Sequence, residues 1–228
     1  PTWPPEGSVA FSSQSGALGL AILDYAHELG IGISEFVSVG NKADVSGNDL
    51  LEHWEHAEAT DVILLYLESF GNPRRFMEIA KRVSRKKPIV VVKSGRTEAG
   101  ARAASSHTGS LAGLDVAVDA LLGQAGVMRT DTLEELFDMA MLLANQPVPR
   151  GNRVAILTNA GGPGIMASDA CASRGLELPP LSESTAAELR SFLPAAASVS
   201  NPVDMIASAS AEAYEKALRL VLADANVD

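Results

Sequence analysis

Apolar positions along the chain follow two periods. Ala17–Leu29 sets Leu18, Ile22, Leu23, Ala26 and Leu29 at helical spacing and closes on Gly30. Ser8–Ser12, Asp61–Leu67 and Pro88–Lys93 are strand-length and nearly all apolar, the pattern of strands buried on both faces of a parallel sheet. Ile33–Val39 alternates as a strand does. Asn48–Glu58 reads as a helix with a polar face. Pro73–Arg85 reads as a basic amphipathic helix with Pro at its start. Leu114–Ala125 and Leu133–Asn145 read as helices around a short strand at Val127–Arg129. Strand and helix in alternation predict an α/β fold, a parallel sheet wrapped by helices.

Gln146-Pro-Val-Pro-Arg-Gly151 breaks the pattern and reads as a linker between domains at 1–146 and 147–228. Beyond it, Arg153–Thr158 is the expected strand. Pro163–Arg174, Thr185–Phe192 and Ala211–Ala223 are the expected helices, with a loop at Leu193–Val199. The restart repeats the beginning. Shifting the first unit by 145 positions lays Val9-Ala10-Phe11 on Val154-Ala155-Ile156, Gln14 on Asn159, Gly16 on Gly161, Gly19 on Gly164 and Gly30 on Gly175. One constant offset across a glycine turn, a helix and its stop favours two related domains.

At 228 residues, 46% hydrophobic and 20% charged, the chain has ample material for a core, which argues against global disorder. A net charge of −10 speaks against a surface built for nucleic acid or anionic lipid. The longest apolar runs are too short to span a membrane. The lone Cys171 forms no internal disulfide, and a reducing cytoplasm fits. No secretory signal pattern is present. The start at Pro1 and the end at Asp228, directly after a helix-like run, read as a piece of a longer protein.

Chemistry collects at a few places. The turn Ser12-Ser13-Gln14-Ser15-Gly16 joins a strand to a helix, so its free N–H groups lie at the positive end of the helix dipole and suit an oxyanion. The plainer reading of Ser15 is a helix cap. Thr158-Asn159-Ala160-Gly161-Gly162-Pro163-Gly164 is a second such turn, richer in Gly than capping requires. Gly162-x-Gly164-x-x-Ala167 also permits a dinucleotide site, but no acidic residue stands where the next strand is expected to end, Glu177 coming too early. His107 lies in Ser105-Ser-His-Thr-Gly-Ser-Leu-Ala-Gly113, a polar loop where an imidazole can serve as nucleophile or base, or have no task at all. Glu68 ends an apolar strand, where open sheets place their sites. It is either an orienting carboxylate or a solvated one. His53 and His56 share a helix face but lack a third ligand, so no metal site is expected.

These segments resemble the nucleoside-diphosphate-forming acyl-CoA synthetases, the superfamily of succinyl-CoA synthetase and ADP-forming acetyl-CoA synthetase. The matching stretches are Val9–Gly19, Val62–Gly71, Lys93–Arg96, Ser106–Gly113, Thr158–Gly164 and Asn201–Asp204, in order across almost the whole chain. The resemblance implies two flavodoxin-like, doubly wound parallel-sheet domains, the second incomplete. It places the phosphorylated histidine on His107 and its carboxylate partner on Glu68. It implies phosphate binding by Ser13, Gln14, Ser15 and Gly16 and by Asn159, Ala160, Gly161, Gly162 and Gly164, at paired helix N-termini facing the phosphohistidine. It further implies a ligase that works with CoA, ATP/ADP and Mg, none bound tightly to this piece. The CoA-binding and ATP-grasp domains would lie elsewhere in the chain or on a partner subunit, leaving the piece alone inactive. Two other readings stand beside it: a synthetase-like regulatory region of a protein acetyltransferase, and a dinucleotide-binding domain.

Overall fold

The computed structural model describes residues 2–40, 42, 44–97, 99–100 and 115–228. The chain forms two units, Pro1–Pro147 and Val148–Asp228. In the first, strands β1 (Glu6–Ser13), β2 (Ile33–Ser38), β3 (Val62–Leu67), β4 (Ile89–Lys93) and β5 (Met128–Thr130) alternate with helices α1 (Gly16–Glu28), α2 (Gly47–His56), α3 (Pro73–Val83), α4 (Asp115–Gln124) and α5 (Leu133–Asn145). The strands make one sheet in the order β2-β1-β3-β4-β5, and every neighbouring pair is parallel. All five strand ends that lead into helices therefore lie on one edge.

Alternation along the central strands explains their unbroken apolar runs. Val62 and Leu64 of β3 pack with Phe11, Ile22, Leu136 and Phe137, under α1 and α5. Ile63, Leu65 and Leu67 pack with Trp54, Phe76, Ile79 and Leu122, under α2, α3 and α4. Both faces are covered, so no position in β3 faces water as a polar one would.

One acidic residue sits inside this packing. The Glu55 side chain in α2 is 2% exposed and accepts hydrogen bonds from Lys86 Nζ (2.6 Å) and Arg82 Nε (2.7 Å). Those two bonds, Lys86 foremost, hold its carboxyl down to about 2 from an ordinary 4.5. A folded pKa below the unfolded one gives stability that is present above the unfolded value and is lost as pH falls through the folded one. Glu55→Gln should therefore lower the melting temperature at neutral pH, and the gap should close between about pH 4.5 and about pH 2. A gap that is constant over that window would show that the charge contributes nothing.

The second unit contains β6 (Leu157–Thr158) and β7 (Val203–Asp204), which are paired in parallel, with α6 (Gly161–Ser173), α7 (Glu183–Phe192) and α8 (Ala211–Leu222). Leu189, Val203, Met205, Ala217 and Val221 form its core. The strand expected over Arg153–Thr158 is reduced to its last two residues, with an isolated bridge from Arg153 to Glu177. The cause is a side chain. Asn201 accepts from Ile156 N (3.0 Å) and donates to Val154 O (2.8 Å), taking backbone groups that a longer partner strand would have paired. Helix α6 begins two residues before the expected Pro163, which falls in the first turn, where its missing N–H has no intrahelical partner to lose.

The repeat read from the sequence is present in the structure. The same shift carries α1 onto α6 end for end. Gly30 and Gly175 close them at φ +69° and +75°. Ile31 N bonds Ala26 O at 2.9 Å, and Leu176 N bonds Cys171 O at 3.0 Å. Among the described residues no helix is long and apolar enough to cross a membrane.

Candidate functional site

The sheet order reverses direction between β1 and β3. In open parallel sheets the crevice beyond such a reversal, at the strands' carboxyl ends, is where ligands bind. β1 delivers Ser13-Gln14-Ser15 there and β3 delivers Glu68-Ser69.

The first turn is built by hydroxyls. Ser13 Oγ donates to Ser15 O (2.8 Å) and accepts from Ser15 N (3.2 Å). Ser15 Oγ accepts from Leu18 N (3.3 Å), so the capping reading of Ser15 is correct as far as its hydroxyl goes. The N–H groups of Gly16 and Ala17, at the start of α1, have no carbonyl one turn earlier to bond and remain directed at the crevice end of the sheet. The second turn repeats the arrangement with Thr158, whose Oγ1 donates to Ala160 O (3.0 Å) and accepts from Ala160 N (3.1 Å). Its cap position is Ala160, which makes no side-chain bond. The residue that a serine there would have capped is Pro163, which has no N–H. Both turns thus offer the same two backbone donors, from Gly16 and Ala17 and from Gly161 and Gly162. Asn159 lies in the second turn at the position matching Gln14, and Gly164 is buried in the first turn of α6.

Gln14 has a different task from the one its position suggests. It is 8% exposed. Its Oε1 accepts from Glu68 N (2.8 Å) and Ser69 N (2.9 Å), and its Nε2 donates to Ser69 O (2.8 Å). The carboxamide clasps the end of β1 to the segment that carries Glu68. Among the described residues, no hydrogen bond is made to the Glu68 carboxylate.

Two lysines stand near Glu68. Lys42, in a left-handed backbone conformation (φ +58°), donates from Nζ to Ser69 O (2.6 Å) and Ser69 Oγ (2.9 Å). Burial pushes its pKa down, the Glu68 carboxylate opposes that, and Lys93 adds to it. Lys93, buried at the end of β4, is depressed first by burial and next by Arg129, against the pull of Asp115 and Glu68. Arg129 is paired with Asp115 and Asp119, and Arg96 with Asp131 and Asp115. Lys42 was invisible as a functional candidate, since it reads as one polar residue in a loop. Its left-handed φ, two residues after Gly40, could be found only in three dimensions.

His107 lies outside the described residues, within 101–114. The described residues on either side of that stretch belong to the same sheet edge. β4 ends at Lys93, Ser94 N bonds Leu67 O at 2.9 Å, and Asp115 opens α4 while pairing with Arg96 and Arg129. His53 Nε2 is 3.1 Å from Glu35 Oε1, and the other oxygen of Glu35 accepts from Trp54 Nε1 (3.0 Å), an arrangement internal to β2 and α2.

The second unit contains an acidic residue that the expected spacing missed. β7 pairs with β6 as β2 pairs with β1: Met205 N bonds Thr158 O at 2.8 Å, as Val39 N bonds Ser13 O at 2.9 Å. Asp204 thereby takes the place of Ser38, and Ile206 (φ +60°) that of Gly40 (φ +47°). A Cβ on Gly161 would lie 3.2 Å from Asp204 Oδ2, and one on Gly16 would lie 3.8 Å from Ser38 Oγ. So an acidic residue does end the strand beside β6, which corrects the expectation that none would. Its Oδ1 accepts from Ile206 N (2.9 Å), and its other oxygen faces the start of α6, the seat a dinucleotide's pyrophosphate would need.

A family described as the succinyl-CoA ligase like flavodoxin domain matches residues 6–143, and one described as the ligase-CoA domain matches residues 154–228. Over 223 residues the chain is 50% identical to the alpha subunit of an ADP-forming acetate–CoA ligase II of Pyrococcus furiosus, covering 98% of this chain and 49% of that protein. It is 47% identical over 225 residues to an ADP-forming acetate–CoA ligase I of Archaeoglobus fulgidus, covering 99% of this chain and 33% of that protein. Among solved structures, a dinucleotide forming acetyl-coenzyme A synthetase 1 of Ca. Korarchaeum cryptofilum, in complex with phosphate and ADP, superposes with a TM-score of 0.95 at 43% identity, over 100% of this chain and 50% of that one. The chain spans half or less of the length of these relatives.

Proposed function

The chain belongs to the nucleoside-diphosphate-forming acyl-CoA synthetase family, its first unit being a succinyl-CoA ligase like flavodoxin domain, and on that premise we propose that it carries the phosphoryl-transfer region of such a ligase. The reaction of the whole protein joins an acid, a nucleoside triphosphate and CoA into acyl-CoA, nucleoside diphosphate and phosphate. In the reverse direction, a phosphate oxygen attacks the thioester carbonyl and CoA leaves as its thiolate, giving an acyl phosphate. A ring nitrogen of His107 attacks phosphorus, and the acid leaves as a carboxylate. A terminal oxygen of the nucleoside diphosphate then takes the phosphoryl group from the ring. CoA-binding and ATP-grasp regions, in the same chain or on a partner subunit, supply CoA and the nucleotide with its Mg.

The observation that carries this reading is the edge of the first unit's sheet. Open backbone donors at the start of α1 suit the phosphoryl oxygens, and Glu68 is fixed beside them by Gln14. An acidic chain needs such local dipoles to hold a dianion, since its bulk charge repels one. Glu68 accepts from the ring N–H of His107, which leaves the other nitrogen unprotonated for attack and stabilises the positive ring afterwards. The turn at Asn159–Gly164 holds phosphoryl oxygens in the same manner.

Glu68→Gln keeps the shape and removes the charge. A charge-assisted bond is worth about 1.5–3 kcal/mol, so phosphorylation of His107 in the full-length protein should slow by about one to two orders of magnitude without loss of folding. A wild-type rate in that variant would leave Glu68 with no part in the chemistry. The reading as a whole is tested by the label itself: labelled phosphate and acyl-CoA together should place phosphorus on His107, and an unlabelled or acid-stable product would overturn it.

A further inference from the structure

Resting on the phosphoryl-transfer reading above, we propose that Lys42 is a positioning residue for Glu68, its ammonium joining Gln14 in holding the Glu68–Ser69 segment so that the carboxylate meets His107 in one place. The segment is grasped twice. Gln14 bonds the N–H groups of Glu68 and Ser69, and Lys42 bonds the carbonyl and hydroxyl of Ser69. The grip leaves the Glu68 side chain as the part of the segment open to a partner.

Three features mark the lysine as more than a brace. Ser69 O already accepts from Gln14 Nε2, and Ser69 Oγ needs only a donor, which an uncharged side chain could supply. A charged one is instead buried here at a cost that lowers its pKa, and the Glu68 carboxylate is the group that opposes that cost. Its backbone stands in the left-handed region (φ +58°), where a residue with a Cβ is strained and stays only if the surroundings require it. Lys93 bears on Glu68 as well, from the end of β4, so the carboxylate lies in the field of two ammonium groups, one on a buried side chain and one on a half-buried one. A third charge arriving on the ring of His107 would then meet a carboxylate already oriented, with little left to reorganise when the phosphoryl group transfers.

The test uses the full-length protein and the rate at which labelled phosphate with acyl-CoA marks His107. Lys42→Met should slow labelling by about 10- to 100-fold while KM for phosphate and for acyl-CoA stays within about twofold. Because Lys42 acts through Glu68, adding Lys42→Met to Glu68→Gln should cost less than about threefold more. Should Lys42→Met fail to fold, Lys42→Cys in a background with every other cysteine replaced, Cys171→Ser among them, can be alkylated with 2-bromoethylamine, which rebuilds an ammonium of nearly the same reach, or with iodoacetamide, which does not. The first should label at least tenfold faster than the second. A Lys42→Met rate within twofold of wild type, a full second loss in the double variant, or equal rates after the two alkylations would each overturn the proposal. Absence of label from the wild type, or label that survives His107→Asn, marks instead the failure of the phosphohistidine reading on which this one stands.

Discussion

Full-length protein carrying His107→Asn should keep its melting temperature and lose its acid-labile, base-stable phosphoryl label entirely, with turnover down by about three orders of magnitude or more. Asparagine preserves a hydrogen-bonding group near the position of one ring nitrogen, but its amide nitrogen has no available lone pair to attack phosphorus. The neighbouring Ser, Thr and Gly predict a polar loop with little packing at His107, so folding should be indifferent to the change. The scale follows from the role. Removing a nucleophile closes the two-step route, and only binding and dipoles remain to accelerate direct transfer. Label of the same acid lability on the variant would name another residue as nucleophile, and the Glu68 and Lys42 assignments would need a new partner.

The second large effect is on stability and concerns two glycines at the far end of the same sheet. A Cβ on Gly7 would stand 2.4 Å from Gly32 Cα, and one on Gly32 would stand 2.6 Å from Gly7 Cα. The obstruction is backbone on both sides. It is pinned by Val9 N to Gly32 O (3.1 Å) and Ile33 N to Pro5 O (2.8 Å), so neither strand can yield without losing pairing at the start of β1. Gly7→Ala should cost about 3 kcal/mol, the upper range for overpacking, and lower the melting temperature by about 6–12 °C. Gly30→Ala is the control. Gly30 sits at φ +69° with nothing within 4 Å of its would-be Cβ, so only conformational strain is at stake, about 1 kcal/mol. Equal melting temperatures for the two variants would mean that the Gly7–Gly32 approach relaxes freely.

Local signals carried most of the first unit. The uninterrupted apolar residues of Val62–Leu67 and Ile89–Val92 could only be strands covered on both faces, and they are. The helix over Leu133–Asn145 has the bounds its spacing implies. Where the second unit departs from expectation, a distant residue decides. Nothing near Arg153–Ile156 announces that the side chain of Asn201 will take its backbone partners, and a two-residue strand directly after Pro202 is too short to leave a periodic trace. The site divides along the same line. As candidates, Ser13, Ser15, Gly16 and Glu68 were legible because a turn between strand and helix, or a strand's end, is a local pattern. Gln14 was legible as a member of that turn, but not as a clasp on residues 68 and 69, and Lys42 not at all, because their partners lie far away in sequence. Asp204 escaped for the same reason, since the strand it ends follows α7 rather than coming directly after α6.

Asp204 sets the two otherwise matching turns apart in charge. Where the first turn has the hydroxyl of Ser38, able both to give and to receive a hydrogen bond, the second has a carboxyl oxygen of Asp204. An oxyanion at the start of α6 would lie beside this acidic side chain, whereas one at the start of α1 would lie beside a hydroxyl. Asp204→Ser should therefore tighten phosphate binding at the second turn and leave the first unchanged, which a phosphate titration of the two proteins would read.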